Sequence, residues 1–175
     1  GAIHPLLGPG TVPLNLTIGT QYKSLIITGP NTGGKTVALK TAGLLTLMVQ
    51  TGLLIPAKAG SNFSVFTKIA ADIGDGQSIE QSLSTFSAHI RNIIDILKVA
   101  DQSTLVLIDE MASGTDPGEG VGLSIAILEE LHRRGTTVIA TTHFNEIKHF
   151  AAVTPGFENA RMEFDVDTLQ PLYQL

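Results

Sequence analysis

The stretch Lys23–Thr36, KSLIITGPNTGGKT, decides the fold. Lys23–Thr28 is a short β-type run that breaks off in a glycine-rich turn, and Gly29, Pro30, Asn31, Thr32, Gly33, Gly34, Lys35 and Thr36 fit G-x-x-x-x-G-K-[ST]. Glycines let a backbone wrap closely round a polyphosphate, and consecutive N–H groups at a helix start point at the anion. Lys35 supplies a mobile positive charge to the β- and γ-phosphates, and the Thr36 hydroxyl is suited to ligate Mg2+. The run Lys35 to Leu54 is rich in Ala, Leu, Met and Val almost all the way round, which predicts a helix buried on most sides and ended by Gly52 and Pro56.

Outward from this unit, Phe63–Ala71 reads as a second strand. From Ser78 to Val99 the residues Phe86, Ile90, Ile93, Ile94 and Leu97 form a helical stripe. Thr104–Ile108 (TLVLI) and Thr136–Thr142 (TTVIATT) are apolar runs of strand length, as in strands covered on both faces. Between them Gly118 to Arg134 predicts a helix closed by Gly135. The tail, Asn159–Phe164 and Thr168–Leu175, predicts a C-terminal hairpin turning near Asp165–Asp167. This alternation argues for one α/β domain over 1–175, with a mostly parallel central sheet and flanking helices. The chain opens on Gly1 rather than Met and stops just after a strand-like run, so a truncated piece of a longer protein is expected.

Apolar residues make up 43% of the 175 and charged ones 15%, against about 25% charged in ordinary soluble domains. With a mean hydropathy of +0.25, the surface is short of charge, as if other domains or a partner cover part of it. A net charge of −5 leaves no basic footprint for self-sufficient nucleic-acid binding. The absence of cysteine excludes a disulfide framework, a Cys-based zinc site and a thiol nucleophile. The longest apolar stretch, Ala42 to Ala57, is broken by Thr46, Gln50 and Thr51 and falls short of a membrane span. No secretory leader opens the chain, so the expected location is cytoplasmic.

A phosphate loop needs a partner strand carrying an acid for the metal. Asp109 follows Leu105–Ile108 and is the candidate Mg2+ anchor. Glu110, the next residue, can orient or deprotonate water, a pairing that favours hydrolysis over kinase chemistry. His143 closes the third apolar run and would emerge at the same sheet end, able to hydrogen-bond a γ-phosphate. The other histidines lack metal spacing. Neither D-x-x-G nor N-K-x-D occurs, which excludes an ordinary GTPase, and L-S-G-G-Q is missing. Gln81–Phe86 (QSLSTF) stands in its place, where Ser84 or Thr85 can cap the striped helix.

Gly29–Thr36, Ser84-Thr85-Phe86, Asp109-Glu110 and Thr142-His143, in that order, resemble the ATPase domain of the MutS family, the ABC-type P-loop ATPases of DNA mismatch repair. Asp116-Pro117 and Met162–Asp165 are more similar to its second bacterial branch, the endonuclease and recombination-suppressor type. The resemblance implies ATP and Mg2+ as cofactors, with Gly29–Thr36 on the phosphates, Thr36 and Asp109 on the metal, Glu110 as catalytic base and His143 as γ-phosphate sensor. It implies a homodimer in which Ser84 reaches the partner's ATP in trans, with Asn31 and the Asp116 loop at the dimer interface. It also implies branched or mismatched DNA, or stalled ribosomes, handled by domains outside this chain. Where mismatch-repair relatives carry an aromatic residue against adenine, this chain has Thr11 and Val12, so no base-stacking residue is assigned. The competing expectations are a nucleotide-dependent conformational module with negligible turnover and an Smc-type head, the latter disfavoured by the missing L-S-G-G-Q.

Overall fold

Side chains along the central strands alternate between two apolar layers. Leu25, Ile27, Leu105, Leu107 and Ile139 face one layer, and Ile26, Val106, Ile108, Val138 and Ala140 face the other. The strands that carry them are β1 (Ser24–Thr28), β3 (Thr104–Ile108) and β4 (Thr137–Thr141), each buried at all five positions. With β2 (Lys68–Asp72) and β5 (Phe157–Arg161) they form one five-stranded parallel sheet in the order β2-β3-β4-β1-β5. This is a computed structural model, and it describes residues 1–8, 10–74, 82–111, 113–165, 168 and 170–175. No helix among these residues is long and apolar enough to cross a membrane.

Helix α1 (Lys35–Gln50) lies on the first layer with the N-terminal residues Leu14, Leu16, Ile18 and Tyr22. Helices α2 (Ser82–Val99), α3 (Pro117–Arg133) and α4 (Asn145–Val153) cover the second. Asp116 caps α3, its carboxylate accepting from the N–H groups of Gly118 and Glu119 at 3.0 and 3.3 Å, and Pro117 opens the helix.

The α/β alternation forms as expected, with local differences. α1 ends at Gln50 rather than Leu54, because Gly52 turns to φ +78° and the Leu53 N–H folds back onto the Met48 carbonyl at 2.9 Å. Its burial is also narrower than its composition implies: Val37, Lys40 and Leu47 are exposed. β2 begins only at Lys68; before it, the Gln50 amide pairs with the backbone of Phe66 at both N–H and C=O (2.8 and 3.0 Å), replacing a ladder partner. On α2 Ile94 faces solvent while Ile96 is buried. The largest correction concerns the tail. Phe157–Arg161 is not a hairpin arm but the fifth parallel strand, paired with β1. The hairpin is confined to β6 (Phe164–Asp165) and β7 (Gln170–Pro171), and its turn around 166–167 lies outside the described residues, as does the expected helical start at Ser78.

Candidate functional site

β1 hands the chain to α1 on one face of the sheet, while its neighbour β4 hands it to α4 on the other. At such a switch point the loops beyond the strand carboxyl ends diverge and leave a crevice. Three of them meet here, those that begin at Gly29, Asp109 and Thr142.

The first is the glycine-rich loop. After a single 3-10 turn at Asn31–Gly33 it passes through Gly34 at φ +88°, a left-handed conformation that a side chain resists, and enters α1 directly. No side chain caps α1 among the described residues, so its first-turn amides face the crevice as an anion-attracting end. Lys35 is only 3% exposed, and its Nζ donates to the Gly29 carbonyl at 2.7 Å. Burial pulls the ammonium below the ordinary lysine value, while the negative charges of Glu110 and Asp109 pull the other way. Met162, buried behind the loop, is the floor against which Gly29 and Gly33 rest: a Cβ on either would come within 3.1–3.2 Å of its Cβ.

The acids meet this loop. Thr36 Oγ1 donates to Asp109 Oδ2 at 2.6 Å, and Thr141 Oγ1 donates to Asp109 Oδ1 at 2.5 Å. The Asp109 N–H is tied to the Asp72 carbonyl at 2.9 Å. Glu110 is half-buried at φ +50°, and its N–H donates to Thr141 Oγ1 at 2.8 Å. A hydroxyl and a carboxylate side by side are hard oxygen donors of the kind Mg2+ takes, and a carboxylate one residue further on suits general-base work.

Lys35, Thr36, Asp109 and Glu110 thus lie together at this end of the sheet. His143 follows β4 at the same sheet end, exposed, its ring 4.2 Å from that of Phe144. Ser84 falls in the first turn of α2, but its side chain and that of Asn31 lie outside the described residues. Asp116 is exposed at the start of α3.

Three features escape a linear reading. Thr141 is one. Another is a cluster beside the acids, where the Asp72 carboxylate meets His89 Nδ1 and Asn92 Nδ2, both at 2.8 Å, linking the end of β2 to α2. The third is a cavity of about 480 Å3 between the N-terminal segment and the start of α1, lined among others by His4, Leu7, Val12, Gly34, Val37 and Tyr173. The Tyr173 ring edge lies where a Cβ on Gly34 would sit 3.1 Å away. Thr11 and Val12 line this cavity too, which gives that part of the upstream segment a place beside the loop.

The family model described as MutS domain V matches residues 25–174. Among curated relatives, Endonuclease MutS2 of Ruminiclostridium cellulolyticum is 60% identical over 98% of this chain and 22% of its own length. The proteins of the same name from Lachnospira eligens and Halothermothrix orenii are 61% and 58% identical, over 98% and 100% of this chain and 22% of each relative. The chain therefore spans less than a quarter of these relatives. A match running through every strand of the sheet and all three loops of the crevice fixes the kinship: the chain belongs to the MutS domain V family.

Proposed function

We propose that this chain is the ATP-binding and ATP-hydrolysing P-loop domain, ABC-type, of a cytoplasmic MutS-family protein, and that it works with Mg2+. The amides of Gly29–Thr36 cradle the phosphates, Lys35 neutralises the β- and γ-phosphate oxygens, and Thr36 with Asp109 holds the cation. When bound, Mg2+ draws charge from the phosphate oxygens and so lowers the barrier to in-line attack. Glu110 orients the attacking water and accepts its proton, and His143 donates to the γ-phosphate. The cavity beside Gly34 accepts the nucleoside, with the Tyr173 ring as an apolar wall. The contact that carries this reading is the 2.6 Å hydrogen bond from Thr36 to Asp109, which joins two motifs far apart in the chain at one point.

Ser84 completes the site of a second copy in trans, so turnover follows the geometry of a homodimer. Regions outside this chain bring the branched or mismatched DNA, or the ribosome, and a separate endonuclease domain. The test uses the full-length parent. Lys35→Ala is expected to abolish ATP binding, and Glu110→Gln to keep it while turnover falls by about a hundredfold or more. Unimpaired binding by Lys35→Ala overturns the reading. Unchanged turnover in Glu110→Gln, at a negligible wild-type rate, assigns the site to a nucleotide-gated switch instead.

A further inference from the structure

Thr141, the last residue of β4, is fully buried. Its hydroxyl lies between Asp109 Oδ1 at 2.5 Å and the Glu110 N–H at 2.8 Å. The polarity of this relay follows from chemistry. A backbone N–H only donates, so the hydroxyl oxygen accepts from Glu110, and its single proton goes to the Asp109 carboxylate. The Thr141 carbonyl also accepts from Met111 N–H at 2.9 Å, so one residue grips the chain on both sides of Glu110. That grip coincides with the left-handed backbone of Glu110, at φ +50°, which a non-glycine residue holds only when its surroundings over-determine it.

Thr36 and Thr141 divide the Asp109 carboxylate between them, Oδ2 to the first and Oδ1 to the second. Their roles differ. Thr36 is on the loop, and its oxygen is the one that would serve a cation; Thr141 is a buried strand residue. Were Thr36 to turn toward a cation, Thr141 would still hold Oδ1 and leave Oδ2 for it.

We infer that Thr141 is a positioning residue that aligns the metal-facing oxygen of Asp109 and the carboxylate-bearing backbone of Glu110 through one shared hydroxyl. The inference rests on the ATPase reading above and adds a residue to it. Partners of this kind, one bond removed from a metal ligand, change metal affinity or activity by about ten- to a hundredfold when lost.

The test compares Thr141→Val, Thr141→Ala and Thr141→Ser in the full-length parent. Val keeps the branched shape without the hydroxyl, Ala sets no extra methyl against the carboxylate, and Ser keeps the hydroxyl alone. ATP binding in EDTA identifies the folded variants and is expected to match wild type. Mn2+ affinity of the ADP complex, read by electron paramagnetic resonance, is expected to weaken about tenfold or more in Val and Ala and to stay within about threefold in Ser. At saturating metal, kcat falls by a similar factor in Val and Ala while KM for ATP stays within about threefold. Wild-type Mn2+ affinity and kcat in folded Thr141→Ala overturn the inference. So does a Thr141→Ser as impaired as Thr141→Val, since shape rather than the hydroxyl would then matter. Failure of the wild-type parent to bind ATP strikes the ATPase reading itself, whatever the variants do.

Discussion

Replacing His89 with alanine takes from Asp72 one of the two side-chain hydrogen-bond donors it has among the described residues. The Asp72 side chain is 9% exposed and that of His89 23%, so water cannot fully take over the 2.8 Å contact. Asn92 Nδ2 remains at 2.8 Å, but it also serves the Ala71 carbonyl at 3.0 Å. A hydrogen bond to a charged group contributes about 1.5–3 kcal/mol, and the mostly buried imidazole adds about 1 kcal/mol of lost apolar contact. His89→Ala should therefore destabilise the chain by about 3 kcal/mol. Asp72→Ala should cost less, about 1–2 kcal/mol, because the imidazole left behind can turn to solvent. If the two groups act on each other, the double variant loses less than the sum, with a coupling of about 1.5 kcal/mol. Urea unfolding of wild type, both single variants and the double variant, followed by circular dichroism at unchanged m-value, measures this directly. A coupling below about 0.5 kcal/mol would show two independent surface groups and refute the argument. The result bears on function because α2, held down by this contact, carries Ser84 in its first turn.

Two further outcomes are open to measurement. Hydrogen bonds first from Arg133 and then from Arg134 hold the Glu130 carboxyl down at about 2, against an ordinary 4.5. The stability it contributes is then present above the ordinary value and is lost as pH falls through the lower one, so Glu130→Gln should flatten that stretch of the acid-unfolding curve. The effect is screened by salt, and an unchanged acid limb in low salt argues against it. Gly156→Ala forces a side chain onto φ +85°, with its Cβ 2.4 Å from His132 Cε1, a ring already 5.0 Å from that of Phe157. Backbone strain of about 1–2 kcal/mol and overpacking of about 1–3 kcal/mol predict a loss of about 2–4 kcal/mol in thermal denaturation. In a His132→Ala background only the strain should remain; an equal loss there would exclude the clash.

The centre of the domain was legible because its signals are local. TLVLI and TTVIATT are strands by composition alone, and Gly29–Thr36 announces its chemistry within eight consecutive residues. The periphery was not. β5 reads FENAR, with Glu158 and Arg161 interleaved, because an edge strand needs only Phe157 in the core. α4 leaves little trace in the sequence because nine residues with Ile147 and Ala151 as the buried pair make a weak stripe. Thr141 looked like one more β-branched residue; only the partners of its hydroxyl distinguish it. The cavity unites Val12 with Tyr173 from opposite ends of the chain, and Asp72 meets His89 from different elements, so neither juxtaposition has a linear signature.

The strand order has a temporal corollary. Both neighbours of β1 in the sheet, β4 and β5, follow it only after three α-helices and two strands have intervened or, for β5, later still. During synthesis the glycine loop leaves the ribosome before either companion of its strand, which pairs with β4 only after Thr141 has emerged and gains β5 only after Arg161. Met162, the loop's floor, arrives one residue later still. A nascent chain arrested short of this point has every residue of the loop and its partner strand β4, but neither the outer strand β5 nor the Met162 floor, so competence to hold a ligand arrives late.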